Sequence, residues 1–209
     1  MKNGTKRSLA VLSLSLAVWL VLAACGGQQG GSRSEDGDGG GDGGSITIGF
    51  SLATLQEERW QRDRDMFVAA AEKLGAKVEV QAANNDEAKQ IAQAENLISQ
   101  GVDVLVVVPH NAEATASVVE KAHEAGIKVL AYDRLIRNAD VDLYVSFDNE
   151  RVGEMQAEAI VKLVPKGKYV YIGGSETDNN AHLFKKGAFN ILQPLIDKGD
   201  IEVVYDQWT

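Results

Sequence analysis

Three polar clusters in the sequence each follow an apolar segment with the composition of a β-strand. They are Glu58-Arg59-Trp60 after the segment that starts at Ile46, Asp133-Arg134 after KVLAY, and Asp178-Asn179-Asn180 after KYVYIGGSET. Arg donates paired N–H groups, Asp accepts paired hydrogen bonds, Asn does both, and the Trp ring offers a flat apolar face. These groups suit a neutral molecule that carries many hydroxyl groups. The sequence therefore predicts a sugar-binding site.

A repeated strand and helix unit, which starts at Ile46, positions these clusters. Five glycines stand just before apolar strands, where a glycine past a helix end takes the left-handed conformation without steric cost: Gly75, Gly101, Gly126, Gly167 and Gly199. The strand VLVVV is apolar on both faces, which is typical of a parallel sheet covered by helices on each side. The sequence predicts a doubly wound α/β fold, and such sheets bind ligands beyond the carboxyl ends of their strands.

The helices are predicted from apolar residues that recur with helical period. One face carries Phe67, Ala70, Ala71 and Leu74, a second carries Ile91, Ala94 and Ile98, and a third carries Val118, Val119 and Ala122. Asp148 and Asn149 precede Glu150 and are predicted to cap the helix that begins there, because their side-chain oxygens can accept from free backbone N–H groups.

The sequence disfavours nucleotide-cofactor, metal and hydrolytic sites. No G-x-G-x-x-G turn follows the first strand, no G-x-x-x-x-G-K-[ST] loop is present, and His110, His123 and His182 lack metal-ligand spacing, so no cofactor and no metal are expected. Asp133 and Asp178 could act as a hydrolytic carboxylate pair. Their arginine and asparagine neighbours favour hydrogen bonding instead, and the chain is predicted not to be an enzyme.

The N-terminal residues predict secretion. Lys2, Lys6 and Arg7 precede an apolar stretch and then the small residues before Cys25, which is the single cysteine of the chain. Residues 1–24 are predicted to be a lipoprotein signal peptide and Cys25 the lipidated residue, although an ordinary signal peptide with a coincidental cysteine is the alternative. Residues 25–45 are rich in glycine and predict a flexible tether. The protein is thus expected outside the cytoplasm, anchored to a membrane, and its net charge of −9 disfavours nucleic-acid binding.

Longer segments resemble a known family. The segments LQEERWQRDRDMFVAAAEKLGAKVEVQAANNDEAKQIAQAENLISQGVDVLVVVPHN, GIKVLAYDRLI, YVSFDNERVGEMQA and GGSETDNNAHLFKKGAFNIL are similar to the type I periplasmic sugar-binding proteins of bacterial ABC transport. ERWQRDRD, AYDR and DNNA resemble the branch of this family that binds D-xylose. The resemblance implies two α/β lobes that close on one monosaccharide, a monomeric state, and a membrane permease as partner. A sugar-sensing role for a membrane receptor or chemoreceptor is the alternative.

The resemblance also implies roles for individual residues. Arg59, Asp133 and Arg134 match groups of the first lobe that bind sugar hydroxyls, and Asp178 and Asn180 match groups of the second lobe that meet the sugar from the other side. Trp60 has two possible roles: its ring stacks on the sugar, or it packs the first helix onto the sheet. The alternatives are a solvated helix charge for Arg59, an ordinary strand-end ion pair for Asp133-Arg134, and a plain polar turn for Asp178 and Asn180.

The chain stops at Thr209, whereas family members continue well beyond the equivalent point. Residues 46–149 are predicted to form the first lobe, and residues 150–209 are predicted to form the start of a second lobe that is incomplete. An incomplete sheet leaves open edges and uncovered apolar faces. We therefore expect the complete protein to bind sugar, and residues 1–209 alone to bind it weakly.

Overall fold

A five-stranded parallel sheet forms the core of the first lobe. The computed structural model describes residues 45–209, so the predictions for the signal peptide, Cys25 and the tether up to residue 44 lie outside the described residues. The strands are β1 (Thr47–Leu52), β2 (Lys77–Ala82), β3 (Val104–Val108), β4 (Lys128–Tyr132) and β5 (Leu143–Val145). Their order in the sheet is β2-β1-β3-β4-β5 and every pairing is parallel. The predicted doubly wound fold is confirmed.

Three helices cover both faces of this sheet: α1 (Glu58–Lys73), α2 (Glu87–Ser99) and α3 (Ala116–Glu124). The central strand β3 is buried on both sides, as its VLVVV sequence predicts. Val106 and Val108 pack with Trp60 of α1, whereas Leu105 and Val107 pack with residues of α2 and α3. Because side chains alternate across a strand, one apolar strand supplies both layers of the core.

The second lobe contains two strands and two helices. They are α4 (Asn149–Leu163), β6 (Gly167–Ile172), α5 (Asn179–Asp197) and β7 (Ile201–Gln207). Strands β6 and β7 pair in parallel as a separate two-stranded sheet. Large apolar side chains remain exposed on this lobe, including Leu163 at 77% and Ile172 at 65%. The uncovered apolar faces expected of an incomplete sheet are therefore present.

Helices α4 and α5 make backbone contact at two glycines. A Cβ atom added to Gly153 would lie 2.1 Å from the carbonyl oxygen of Phe184, and one added to Gly187 would lie 1.9 Å from that of Glu150. Lys186 and Asn190 of α5 also bind the carboxylate of Glu150, at 2.7 and 2.9 Å. Glycine inside a helix lowers its stability, and here it permits the close approach of two backbones. The two helices therefore form one rigid pair.

The predicted helix faces are correct for α2 and α3 and partly wrong for α1. Val118, Val119 and Ala122 are buried, whereas Leu74 is 86% exposed and Ala70 is also exposed. The buried face of α1 is centred on Trp60 and Ala71, and Leu74 lies beyond the last helical turn, where its side chain no longer follows that face. Within residues 45–209, we find no helix with the length and apolar character needed to cross a membrane.

The turn glycines and the start of α4 agree better with the predictions. All five glycines have positive φ, between 74° and 136°. Asp148 is the N-cap of α4 and its side chain accepts from the backbone N–H of Arg151. Asn149 is instead the first residue of the helix, and its side chain points to buried partners described below. The prediction that Asn149 is a cap is therefore wrong.

Candidate functional site

Residues from all three polar clusters line one cavity between the lobes. The cavity has a volume of about 350 Å³ and all six predicted site residues line it: Arg59, Trp60, Asp133, Arg134, Asp178 and Asn180. Arg59 and Trp60 lie in the first turn of α1, Asp133 and Arg134 follow β4, and Asp178 and Asn180 lie at the start of α5. The carboxyl ends of the strands and the N-termini of the helices thus converge here, as expected for an α/β sheet.

Asp133 is the most heavily bonded residue of the site. Its φ of 63° lies in the left-handed region, which Asp tolerates better than most residues. This conformation directs its carboxylate toward Arg59 and the amide of Asn180, with the Asn180 Nδ2 atom 3.2 Å from Oδ1. Its carbonyl oxygen accepts from Ser146 at 2.6 Å and from Asn180 at 3.0 Å. Both ends of this buried residue therefore connect the first lobe to the second.

Arg134 bridges the two lobes. Its Nε atom lies 3.0 Å from Oδ2 of Asp178, and its Nη1 atom donates to the carbonyl oxygen of Pro109 at 3.3 Å. Both side chains are mostly buried, with 21% and 17% exposed. Asp178 is also the N-cap of α5, since its carboxylate accepts from the backbone N–H of Asn180 at 2.9 Å. The ion pair therefore fixes the start of α5 against the first lobe.

Asp133 and Arg134 do not form the ordinary strand-end ion pair that was the alternative for them. Asp133 pairs with Arg59, and Arg134 pairs with Asp178 of the other lobe. The left-handed backbone at Asp133 turns the two neighbouring side chains toward different partners. Asp178 pairs with Arg134 and caps α5, so it is more than a plain polar turn. Arg59 contacts Asp133, but 49% of its side chain is exposed, so the alternative of a solvated charge holds in part.

Trp60 packs helix α1 onto the sheet and also borders the cavity. Only 5% of the residue is exposed, and it packs with Phe50, Leu52 and other apolar residues of the sheet. The guanidinium carbons of Arg59 and Arg134 lie 4.4 and 5.4 Å from its ring centroid. Cations over an aromatic face are attracted to it. The packing role is thus observed, and the ring orients both arginines.

The charged groups of the cavity balance, with two arginines and two aspartates. Burial opposes the charge on Arg59, but its hydrogen bond with Asp133 and the negative charges of Asp133 and Asp63 raise the pKa of Arg59 above its usual value. The pKa of Tyr144 is also raised, in this case by burial, and its hydroxyl donates to the Asp133 carbonyl oxygen at 3.3 Å. Both groups keep their hydrogen-bond donors around neutral pH. A cavity of paired charges with no net charge suits a neutral polar ligand.

The two arginine–aspartate pairs of the cavity do not resemble a hydrolytic carboxylate pair. Each of the two carboxylates lies against an arginine, Asp133 against Arg59 and Asp178 against Arg134, so neither has the apolar surroundings of a general acid. Among residues 45–209, no three His, Cys, Asp or Glu side chains group as metal ligands.

Four cavity residues were not predicted as site residues: Phe147, Asn149, Val152 and Phe184. Two of them carry a signal in the sequence. Val152 follows Asn149 by three positions and Phe184 follows Asn180 by four, and such spacings place residues on one helix face. Phe147, 69% exposed, lies in the segment between β5 and α4, where no periodicity indicates its direction.

Comparison with known proteins identifies the family. Residues 48–209 match the model of the periplasmic binding protein domain. The chain belongs to the periplasmic binding protein family. This assignment confirms the predicted family and the prediction of a binding protein rather than an enzyme.

Two curated relatives are D-xylose-binding periplasmic proteins. Those of Haemophilus influenzae and Escherichia coli K12 are 58% and 55% identical over 163 residues, covering 78% of this chain and 49% of each relative. This chain thus spans about half the length of the curated relatives it matches.

A solved structure from the same family has the same fold. The carbohydrate transporter solute-binding protein of Chloroflexus aurantiacus, in complex with D-glucose, is 39% identical with a TM-score of 0.71. The match covers 77% of this chain and 48% of that one. The likeness supports the two-lobe fold with a second lobe that is incomplete in this chain.

Proposed function

We propose that the complete protein is an extracytoplasmic solute-binding protein that holds D-xylose, or a closely related monosaccharide, between its lobes and delivers it to an ABC permease. The observation that carries the proposal is the cavity itself. It joins two balanced arginine and aspartate pairs to an amide and an aromatic ring. Carboxylates accept from sugar hydroxyls and guanidinium groups donate to them, and such charge-assisted hydrogen bonds are stronger than neutral ones.

The relatives support the choice of sugar. Two relatives, 58% and 55% identical to this chain, carry D-xylose in their names. On this proposal residues 46–149 form the first lobe and residues 150–209 begin the second.

Calorimetric titration of the complete protein with D-xylose, D-ribose and D-glucose tests this proposal. We expect saturable heat with one sugar bound per protein, and the highest affinity for D-xylose, because discrimination between sugars depends on which hydroxyls find partners. Preference for ribose or glucose would contradict the choice of sugar. No heat with any of the three would contradict monosaccharide binding at this site.

We further propose that Cys25 is lipidated and anchors the protein to a membrane through the glycine-rich tether. Small residues precede this cysteine, and the sequence between it and Ser45 is rich in glycine. Cys25→Ser is expected to move the mature protein from the membrane fraction to the soluble fraction of cells and to prevent incorporation of labelled fatty acid. Equal membrane association of the two proteins would contradict the anchor.

A further inference from the structure

We propose that Asn149 is a positioning residue of the sugar site and acts through Asn180. Asn149 opens helix α4 and is 3% exposed, and Asn180 lies in the first turn of α5 and is 5% exposed. The proposal rests on the sugar-binding function proposed above. On this proposal, helix α4 helps to orient the side chain of Asn180, which the sequence predicts to be a site residue.

A closed ring of hydrogen bonds joins Asn149 to the site. Its Nδ2 atom donates to Oδ1 of Asn180 and to Oγ of Ser146, each at 3.0 Å. Ser146 in turn donates to the carbonyl oxygen of Asp133 at 2.6 Å. The Nδ2 atom of Asn180 donates to that same carbonyl oxygen and to the Asp133 carboxylate, at 3.0 and 3.2 Å. The four residues therefore form one closed ring of hydrogen bonds, which includes both the carbonyl oxygen and the carboxylate of Asp133.

The direction of each hydrogen bond in the ring follows from Asp133. An amide has donors on its nitrogen and acceptors on its oxygen, whereas the carbonyl and carboxylate oxygens of Asp133 can only accept. The amide of Asn180 must therefore turn its nitrogen toward Asp133, and its Oδ1 atom faces Asn149. The opposite orientation would place the Asn180 oxygen against the oxygens of Asp133 and would leave buried polar groups unpaired. Asn149 supplies the donor that Oδ1 of Asn180 needs in this orientation, and so holds the Asn180 amide in place beside the Asp133 carboxylate.

The glycine contact keeps the two asparagines at a fixed distance. Gly153 lies one turn after Asn149 in α4, and its backbone touches that of Phe184, one turn after Asn180 in α5. The amide pair therefore forms without ordering a mobile segment. Preorganised polar groups bind a ligand better because less conformational entropy is lost on binding.

Substitutions in the complete protein test the role. Asn149→Ala and Asn149→Leu, which keeps the number of side-chain heavy atoms, both remove the donor, and each is expected to weaken D-xylose binding about 10-fold. Asn179 is the control: it has the same residue type and is likewise the first residue of its helix, α5, but it is half-buried and lines a different cavity. Asn179→Ala and Asn179→Leu are expected to leave the affinity within about twofold of the original.

A double-mutant cycle separates positioning from general stability. If Asn149 acts through Asn180, Asn149→Ala causes no further loss of affinity in a protein that already carries Asn180→Ala. Losses that multiply would show that Asn149 acts independently, and unchanged affinity in both Asn149 variants would overturn the proposal. Asn149→Leu keeps the comparison valid if the alanine variant fails to fold. Absence of D-xylose binding by the original protein would instead refute the proposed function.

Discussion

Arg134→Ala in the complete protein is expected to weaken D-xylose binding by about 100-fold or more, because the sugar loses a guanidinium donor and displaces the water that would otherwise solvate the unpaired carboxylate of Asp178. The two side chains meet at 3.0 Å across the lobes, and Arg134 also lies over the Trp60 ring. The sugar-free melting temperature should change little, since the ion pair joins two lobes that each have their own core. Calorimetry and thermal unfolding measure the two quantities.

Arg137→Ala is the control for this prediction. Arg137 lies three positions along the same segment, and its pair with Glu113 is 3.5 Å long and exposed, so its loss should leave affinity almost unchanged. A large fall in the sugar-free melting temperature of Arg134→Ala would mark Arg134 as a structural residue. Asp178→Ser is the better probe of the other partner, because serine keeps the helix cap that alanine would remove.

Gly187→Ala is expected to lower the free energy of unfolding by about 2 kcal/mol or more, because the new Cβ atom would overpack the contact between α4 and α5. That atom would lie 1.9 Å from the Glu150 carbonyl oxygen and 2.9 Å from the Glu154 nitrogen, so the helices must separate. Alanine is otherwise the better helix former, by about 1 kcal/mol. Denaturant unfolding of the complete protein measures the difference.

Gly126→Ala provides the comparison for Gly187→Ala. Gly126 has a φ of 75°, and no atom lies within 4 Å of the position that an added Cβ atom would take. Alanine there meets backbone strain alone and should lower the free energy of unfolding by about 1–2 kcal/mol. We expect Gly187→Ala to be more destabilising and also to weaken sugar binding, since separating the helices separates Asn149 from Asn180. Equal stability of Gly187→Ala and the original protein would contradict the close helix contact.

Strand and helix alternation made much of the fold predictable from the sequence. The apolar strand VLVVV became the central strand β3, and the glycines before the strands all adopt positive φ. The site residues were predictable because segments that follow parallel strands converge at one edge of a sheet. All six candidate residues accordingly line one cavity.

The pairing of the site residues was not predictable from the sequence. Asp133 and Arg134 are adjacent, yet each binds a residue far away in the chain, Arg59 and Asp178 respectively. These partners depend on the left-handed backbone at Asp133 and on the position of one lobe against the other, and no local pattern encodes either. The sequence predicts a helix cap at Asn149, and the structure differs because capping and buried hydrogen bonding use the same side chains.

A crystal structure of the complete protein with bound D-xylose tests the central claim most directly. We predict that the sugar occupies the cavity between the lobes, with its hydroxyl groups bonded to Arg59, Asp133 and Arg134 on one side and to Asp178 and Asn180 on the other. The amide of Asn180 should keep its oxygen toward Asn149. A sugar bound outside this cavity, or one that leaves these five side chains without contact, would contradict the account.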